Sequence, residues 1–354
     1  MTITSVERVV DVSTLLSLTD RVASLAAPST MHPGAWPLAG RQDAWSRAHG
    51  LVVGDPDTSP LGRARCDRLA ARLLPSADLD RVELLGQWLT WTFALDDMLD
   101  RPPLATSATA VCELYDDLLR AVRRGGPRPG ARPLESTLGD LWQRTSAGMS
   151  AGWRRRFLAH LAAHRTACAG EAVNRRTGQV PAPERYPAAR RAACGPHLFD
   201  LVEPALGVEL PALVVDLPAW TALTEATADL LAWCNDLASC RRERADGDVH
   251  DLVAVLAAAD GCGQEQAVRR AVDQIARRAA DVPAAALALA DGLDRLAASP
   301  AERTSVRRVA AVLLAAPRAH LDWLVESGRY DLARPGGDAA PRRQIGLRDL
   351  LTPR

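Results

Sequence analysis

The sequence predicts an all-α chain. Two patterns carry the prediction. Apolar residues recur at helical spacing in long stretches bounded by capping residues, prolines and glycines, and no alternating run of β-branched residues argues for a strand. The chain also lacks an internal repeat of fixed period, which excludes a solenoid, so the expectation is one bundle of about ten helices. At 354 residues it is long enough to bury a sizeable core.

Taken in order, residues 1–35 read as a flexible polar arm with one short helix, contributing little to a core. Helical periodicity begins near Arg41, and Gln42 to Gly50 carries Trp45 and His49. The turn-rich Gly54-Asp55-Pro56-Asp57-Thr58-Ser59-Pro60 offers an N-cap to a helix over 61–74. Pro75-Ser76-Ala77-Asp78 then caps a long apolar helix, unbroken by Gly-Pro punctuation until Arg101-Pro102-Pro103. Helices over 106–124 and 134–149 flank the loop Gly126-Pro127-Arg128-Pro129-Gly130, and another spans 152–176. Gln179 to Tyr186 is a loop. The helix that begins at Ala188 must break at Cys194-Gly195-Pro196. Asp216-Leu217-Pro218 has the form of an N-cap and a first-turn proline, opening roughly 28 helical residues that end at Asp246-Gly247. Helices over 265–298 and 301–327 complete one domain spanning 36–330, and a mobile tail follows over 331–354.

Charge excludes some partners. The 43 basic and 43 acidic residues balance, so neither a nucleic acid nor a membrane surface is expected as a partner. Lysine is absent, which removes Schiff-base and P-loop chemistry and leaves arginine, a planar permanent cation suited to phosphate. The seven cysteines include no C-x-x-C pair, so neither a zinc site nor a disulfide framework is expected. With no signal-peptide layout and no apolar run long enough for a bilayer, the expected location is cytoplasmic.

The stretch Phe93-Ala94-Leu95-Asp96-Asp97-Met98-Leu99-Asp100 places three carboxylates at a helix C-terminus, where the dipole is also negative. Asp96 and Asp100 form an i,i+4 like-charge pair, unfavourable by roughly 0.2–0.5 kcal/mol. A hard divalent cation reverses that balance. On the helix after Pro218, Asn235, Ser239 and Glu243 stand at i, i+4 and i+8, on nearly one face. Their oxygens and single negative charge suit magnesium that borrows further oxygens from a phosphate, and Arg242 is placed for the anion. Asp116-Asp117 has Arg120 where a further acid would be needed and reads as a solvated face; His160 and His164 lack a third ligand.

The two constellations, about 140 residues apart, resemble the aspartate-rich motif and the N-S-E triad of bacterial class I terpene synthases. Similar to that family are also Glu171-Ala172-Val173-Asn174-Arg175, Val180-Pro181, Tyr186 and Arg190-Arg191, then Gly247-Asp248-Val249-His250-Asp251-Leu252-Val253 and Arg329-Tyr330. Ala44-Trp45 to His49-Gly50-Leu51 resembles its first helix, so the likeness runs from about 40 to 330.

The resemblance implies a single-domain helical bundle around an apolar cavity, and an enzyme that ionises a prenyl diphosphate with Mg2+, three ions being expected. Asp96 and Asp100 would hold two ions and Asn235, Ser239 and Glu243 a third, with Asp97 in support, orienting an arginine or capping a neighbour. Arg191 matches the diphosphate sensor, with Arg190 the alternative one residue earlier; Cys194 matches the linker and Gly195 the effector. Arg242, Arg329 and Tyr330 would face the diphosphate. Helical spacing offers Phe93, Phe199 and Trp323 as aromatic faces for a carbocation and assigns Trp91 and Trp233 to the core.

Only three Phe and three Tyr, with small residues at Ala228, Ala232, Cys194 and Gly195, tilt the expected substrate slightly toward geranylgeranyl over farnesyl diphosphate. The expected product is a cyclic terpene, with an acyclic product, a chain-elongating transferase or a silent helical partner protein as the other readings, and a homodimer as an expected assembly.

Overall fold

The computed structural model describes residues 10–126, 128–245, 247–296, 298–330 and 332. Among them every regular element is helical. The helix Pro218–Ala245 lies at the centre, buried nearly all round between Leu223 and Cys240 and packed against Gln264–Ala279, Asp281–Arg295 and Pro300–Glu326. Opposite stands Leu79–Leu99, which packs on Cys66–Leu73, Ala35–Ala48 and Pro133–Ser146. Ala151–Thr177 joins the two sides through Ala108–Arg124 and Tyr186–Ala193. No helix among the described residues is long and apolar enough to cross a membrane.

The aspartate-bearing helix starts where Asp78 accepts the amide of Asp80, and it is pinned by its tryptophans. Trp88 donates to Thr145 Oγ1 at 2.8 Å and Trp91 to the Leu134 carbonyl at 2.9 Å, so each buried indole N–H is satisfied. The Phe157 ring sits 5.5, 5.2 and 5.3 Å from Trp88, Trp142 and Trp153. This cluster is structural core, distant in role from the cavity aromatics. Trp233 is also buried.

Several elements differ from expectation. Part of the N-terminal arm is built into the core: Val12–Arg21 begins with a capping box at Asp11 and buries Leu15 and Leu18, and Leu25 follows on Ala23–Ala26. Residues 1–9 lie outside the described residues, as does the expected tail except for Leu332. The helix expected over 61–74 is split into Pro60–Arg63 and Cys66–Leu73, because Arg65 adopts φ 51°. The break is held by an Arg65 fork on Asp67 at 3.0 and 2.8 Å and by Trp323 Nε1, which takes the Ala64 carbonyl at 2.7 Å and that of Arg65 at 3.2 Å. The helix expected over 265–298 divides into Gln264–Ala279 and Asp281–Arg295, since Pro283 has no N–H for the Ala279 carbonyl. Leu252–Asp260, capped by Asp251, was not expected at all.

Candidate active site

Both motifs converge on one cavity of about 230 Å3. Its mouth is lined by Asp96, Asp100, Arg175, Arg190, Asn235, Arg242, Glu243, Asp248, Arg329 and Tyr330. Beneath them lies a chamber walled by Leu69, Leu89, Phe93, Leu198, Phe199 and Leu313 among others. The two walls of the mouth belong to Leu79–Leu99 and Pro218–Ala245, whose motif residues sit at successive turns and so look the same way.

On the first wall, Arg329 reaches Asp97 at 2.8 Å and Asp96 at 3.3 Å, and its guanidinium lies 4.8 Å over the Phe93 ring. Burial works against the Asp97 charge, but Arg329 outweighs it and holds the carboxyl below its usual value. Asp100 lies beside Arg175 at 3.3 Å, and Arg175 in turn holds Asp248 at 3.0 Å. Desolvation by the enclosing walls, and then the neighbouring Asp96, push Asp100 up to about 7.

On the second wall, Asn235 donates to the Tyr330 hydroxyl at 2.8 Å, and Ser239 Oγ donates to the Asn235 carbonyl at 2.7 Å. Ser239 is buried and does not line the cavity. Glu243 lies 3.5 Å from Arg242, and burial raises its carboxyl well above the ordinary range. The Arg242 guanidinium sits 6.0 Å from the Tyr330 ring centre.

Among the described residues, no three of His, Cys, Asp and Glu are grouped to hold an ion by themselves. The donors are divided between two walls, all are hard oxygens, and desolvation raises two of the carboxyls despite the arginines beside them. That set fits a divalent cation whose coordination an anionic ligand between the walls completes.

The arginine pair separates cleanly. Arg190 lines the cavity, held by Asp236 at 2.9 Å and reaching Asn235 Oδ1 at 3.4 Å. Arg191 turns away to Asp229 at 2.9 Å and Glu225 at 3.4 Å, so of the two candidates for the sensor only Arg190 is positioned at the mouth. Asp236 is fully buried, accepts from the Tyr186 hydroxyl and the Leu252 amide, and fixes the direction of Arg190; the reading of the sequence passed over it. Its signal was its place one residue past Asn235, about 100° around the helix.

Helix Tyr186–Ala193 ends where Gly195 takes φ +86°. A Cβ there would stand 3.3 Å from both His197 and Leu198 side chains in a backbone region other residues avoid. Cys194 lines the cavity and Gly195 itself does not. Phe93 and Phe199 line it as well. Trp323 does not: it is wholly buried behind them, 5.5 Å from Phe93 and 5.7 Å from Tyr330, with its N–H committed to the Arg65 break. His160 faces Asp200 at 2.7 Å, and Asp116 and Asp117 pair with Arg165 and Arg120.

An all-α cavity with carboxylates and guanidinium groups at the mouth and hydrocarbon below suits a ligand with a charged head and an apolar tail. Residues 87–281 match the family model for terpene synthase family 2, C-terminal metal binding. The (-)-delta-cadinene synthase of Streptomyces clavuligerus is 34% identical over 88% of this chain and 93% of its own. A (+)-T-muurolol synthase of Roseiflexus castenholzii, described as farnesyl diphosphate cyclizing, is 31% identical over 67% of this chain and 73% of its own. Among solved structures, a single-substitution variant of cucumene synthase superposes with a TM-score of 0.76 at 29% identity, over 86% of this chain and 99% of its own. The chain belongs to the bacterial class I terpene synthase family and is a terpene cyclase, a lyase acting on prenyl diphosphates.

Proposed function

We infer that this enzyme ionises farnesyl diphosphate and cyclises the C15 cation to a sesquiterpene, releasing diphosphate. The observation that carries the reading is the division of one cavity into a charged mouth and an apolar chamber. The tilt toward a C20 substrate loses support on two counts. Of the small residues behind it, Ala232 and Cys194 line the cavity but Ala228 and Gly195 do not. The T-muurolol synthase relative is described as farnesyl diphosphate cyclizing.

Asp96 and Asp100 would hold magnesium on one wall, and Asn235 and Glu243 on the other; Ser239, expected between them as a third ligand, is buried outside the lining and would have to leave the Asn235 carbonyl to join them. When bound, the metal supplies positive charge to the leaving diphosphate. Arg190, Arg242 and Arg329 present guanidinium groups to the same anion, and Tyr330 offers its hydroxyl. Asp97 keeps Arg329 in place and Asp236 keeps Arg190 in place. Phe93 and Phe199 turn aromatic faces to the cation while the aliphatic walls exclude water. The Gly195 turn brings Cys194 and the end of its helix against the chamber.

The test is incubation with Mg2+ and each of the C10, C15 and C20 diphosphates, with products identified by gas chromatography and mass spectrometry. A cyclic C15 product formed faster than any C10 or C20 product is expected; preferential turnover of the C20 substrate would overturn the chain-length reading.

A further inference from the structure

Three histidines line the cavity: His164, His250 and His320. Two of them are committed. The Ala193 carbonyl can only accept, so His164 donates Nε2–H to it at 3.0 Å and receives the Tyr115 hydroxyl on Nδ1 at 3.0 Å. The Asn174 amide nitrogen can only donate, so His250 accepts it on Nε2 at 3.0 Å and gives Nδ1–H to Asp248 at 3.0 Å. Both rings are thus bonded at each nitrogen, and a proton on His250 Nε2 would displace the Asn174 donor.

His320 is placed differently. It follows Leu313 and Ala316 on Pro300–Glu326 at i+7 and i+4, and all three line the chamber. Its Nδ1 is sealed and has no hydrogen-bond partner among the described residues; Nε2 is not sealed and bonds none of them either. Stacking on Trp323, with centroids 5.4 Å apart and planes at 28°, fixes the ring. Burial, with Arg190 as a second cause, holds its pKa down to about 3, so the ring keeps a lone pair and does not repel a cation. The unpaired Nδ1 destabilises the fold in a way that a hydrocarbon side chain at this place would not. The thiols cannot substitute, since burial pushes Cys194 up to about 11 and raises Cys168 further, leaving both protonated. Of the lining carboxylates, Asp96, Asp100, Glu243 and Asp248 belong to the mouth, and Glu171 lies one turn before Arg175 and 3.9 Å from it.

We propose that His320 is the catalytic residue that ends the reaction, its Nε2 accepting the proton lost by the last carbocation. This rests on the cyclase reading above. The electron pair of a C–H bond beside the cationic carbon becomes the π bond of the product, the cation is neutralised, and the proton resides on the imidazole. The imidazolium then returns it to the departing diphosphate or to solvent as the mouth opens. A low basicity is no obstacle, because a carbocation is a far stronger acid than an imidazolium.

The experiment follows diphosphate release and product identity together in the full chain with Mg2+ and farnesyl diphosphate, for wild type, His320→Phe and His320→Gln. Both variants should release diphosphate within about threefold of wild type, while the wild-type product falls by about tenfold or more. In its place should come compounds of the same carbon skeleton that lose a proton from another carbon or capture water. An unchanged product profile would assign the proton to diphosphate and overturn the proposal. New ring skeletons would reduce His320 to a shaping residue, and a loss of diphosphate release in both variants would place it in ionisation; either result overturns it too. Should circular dichroism show the Phe variant unfolded, the Gln variant decides, and unfolding of both shows a structural role only. If wild type releases no diphosphate, the failure is that of the cyclase reading.

Discussion

The mouth and the chamber of this cavity are built on opposite principles. At the mouth nearly every side chain is charged and already engaged: Arg329 with Asp97, Arg190 with Asp236, Arg175 with Asp100 and Asp248. In the chamber the lining is mostly Leu, Val, Ala and two phenylalanines, broken by Thr92, Cys168, Cys194, His164 and His320, of which only His320 has a ring nitrogen with no partner among the described residues. On the proposed reading the mouth decides whether the substrate ionises, and the chamber decides what the cation becomes. Variants on the two sides should fail in different ways.

The largest effect belongs to the mouth. Asp96→Asn and Glu243→Gln should each lower diphosphate release by about 10²–10³ or more, because each removes an anionic oxygen from one of the two walls. Residual release should scale with added Mg2+, measured by a coupled phosphate assay. Next comes the adjacent arginine pair: Arg190→Gln should cost about 10²-fold in kcat/KM, and Arg191→Gln less than about threefold. Removing Arg191 leaves Asp229 still paired with Arg278 at 2.9 Å, so its effect on stability should also be small, about 1 kcal/mol by urea titration.

The chamber should give smaller losses of rate and larger changes of product. Phe93→Leu and Phe199→Leu should slow turnover by about two- to tenfold, the worth of one aromatic face to a cation, with altered product ratios in chromatograms. Trp323→Phe should cost about 1 kcal/mol of stability, because the Ala64 carbonyl at the Arg65 break loses the nearer of its two donors and keeps Ser327 Oγ at 3.3 Å, while the phenyl ring still stacks on His320 and the product ratio stays near that of wild type. If Trp323→Phe changed products as strongly as Phe93→Leu, the separation of cavity from support would fail.

This division also explains what could be read from the sequence. The residues of the mouth were legible because Asp96 with Asp100 and Asn235 with Glu243 each lie within one unbroken helix, where spacing fixes the face. Arg190 and Arg191 sit in the last turn before a helix break, neighbours about 100° apart, and which one faces inward depends on where Asp236 and Asp229 stand on another helix. Trp323 misled for a related reason. Its distance from Tyr330 was counted at helical spacing, but the helix ends at Glu326 and Ser327 is extended. Arg65 carries no sequence mark of a left-handed residue, so the split of the helix over 61–74 went unread. In the chamber, a leucine that lines a cavity and one that fills a core are the same letter.

The account rests most heavily on two walls that hold a diphosphate between them with divalent ions. Titration calorimetry of inorganic diphosphate, with and without Mg2+, tests that directly on wild type, Glu243→Gln, Arg190→Gln and Arg191→Gln. The account predicts tight binding only with Mg2+, lost in the first two variants and kept in the third. Equal binding without Mg2+, or loss in Arg191→Gln with retention in Arg190→Gln, would contradict it.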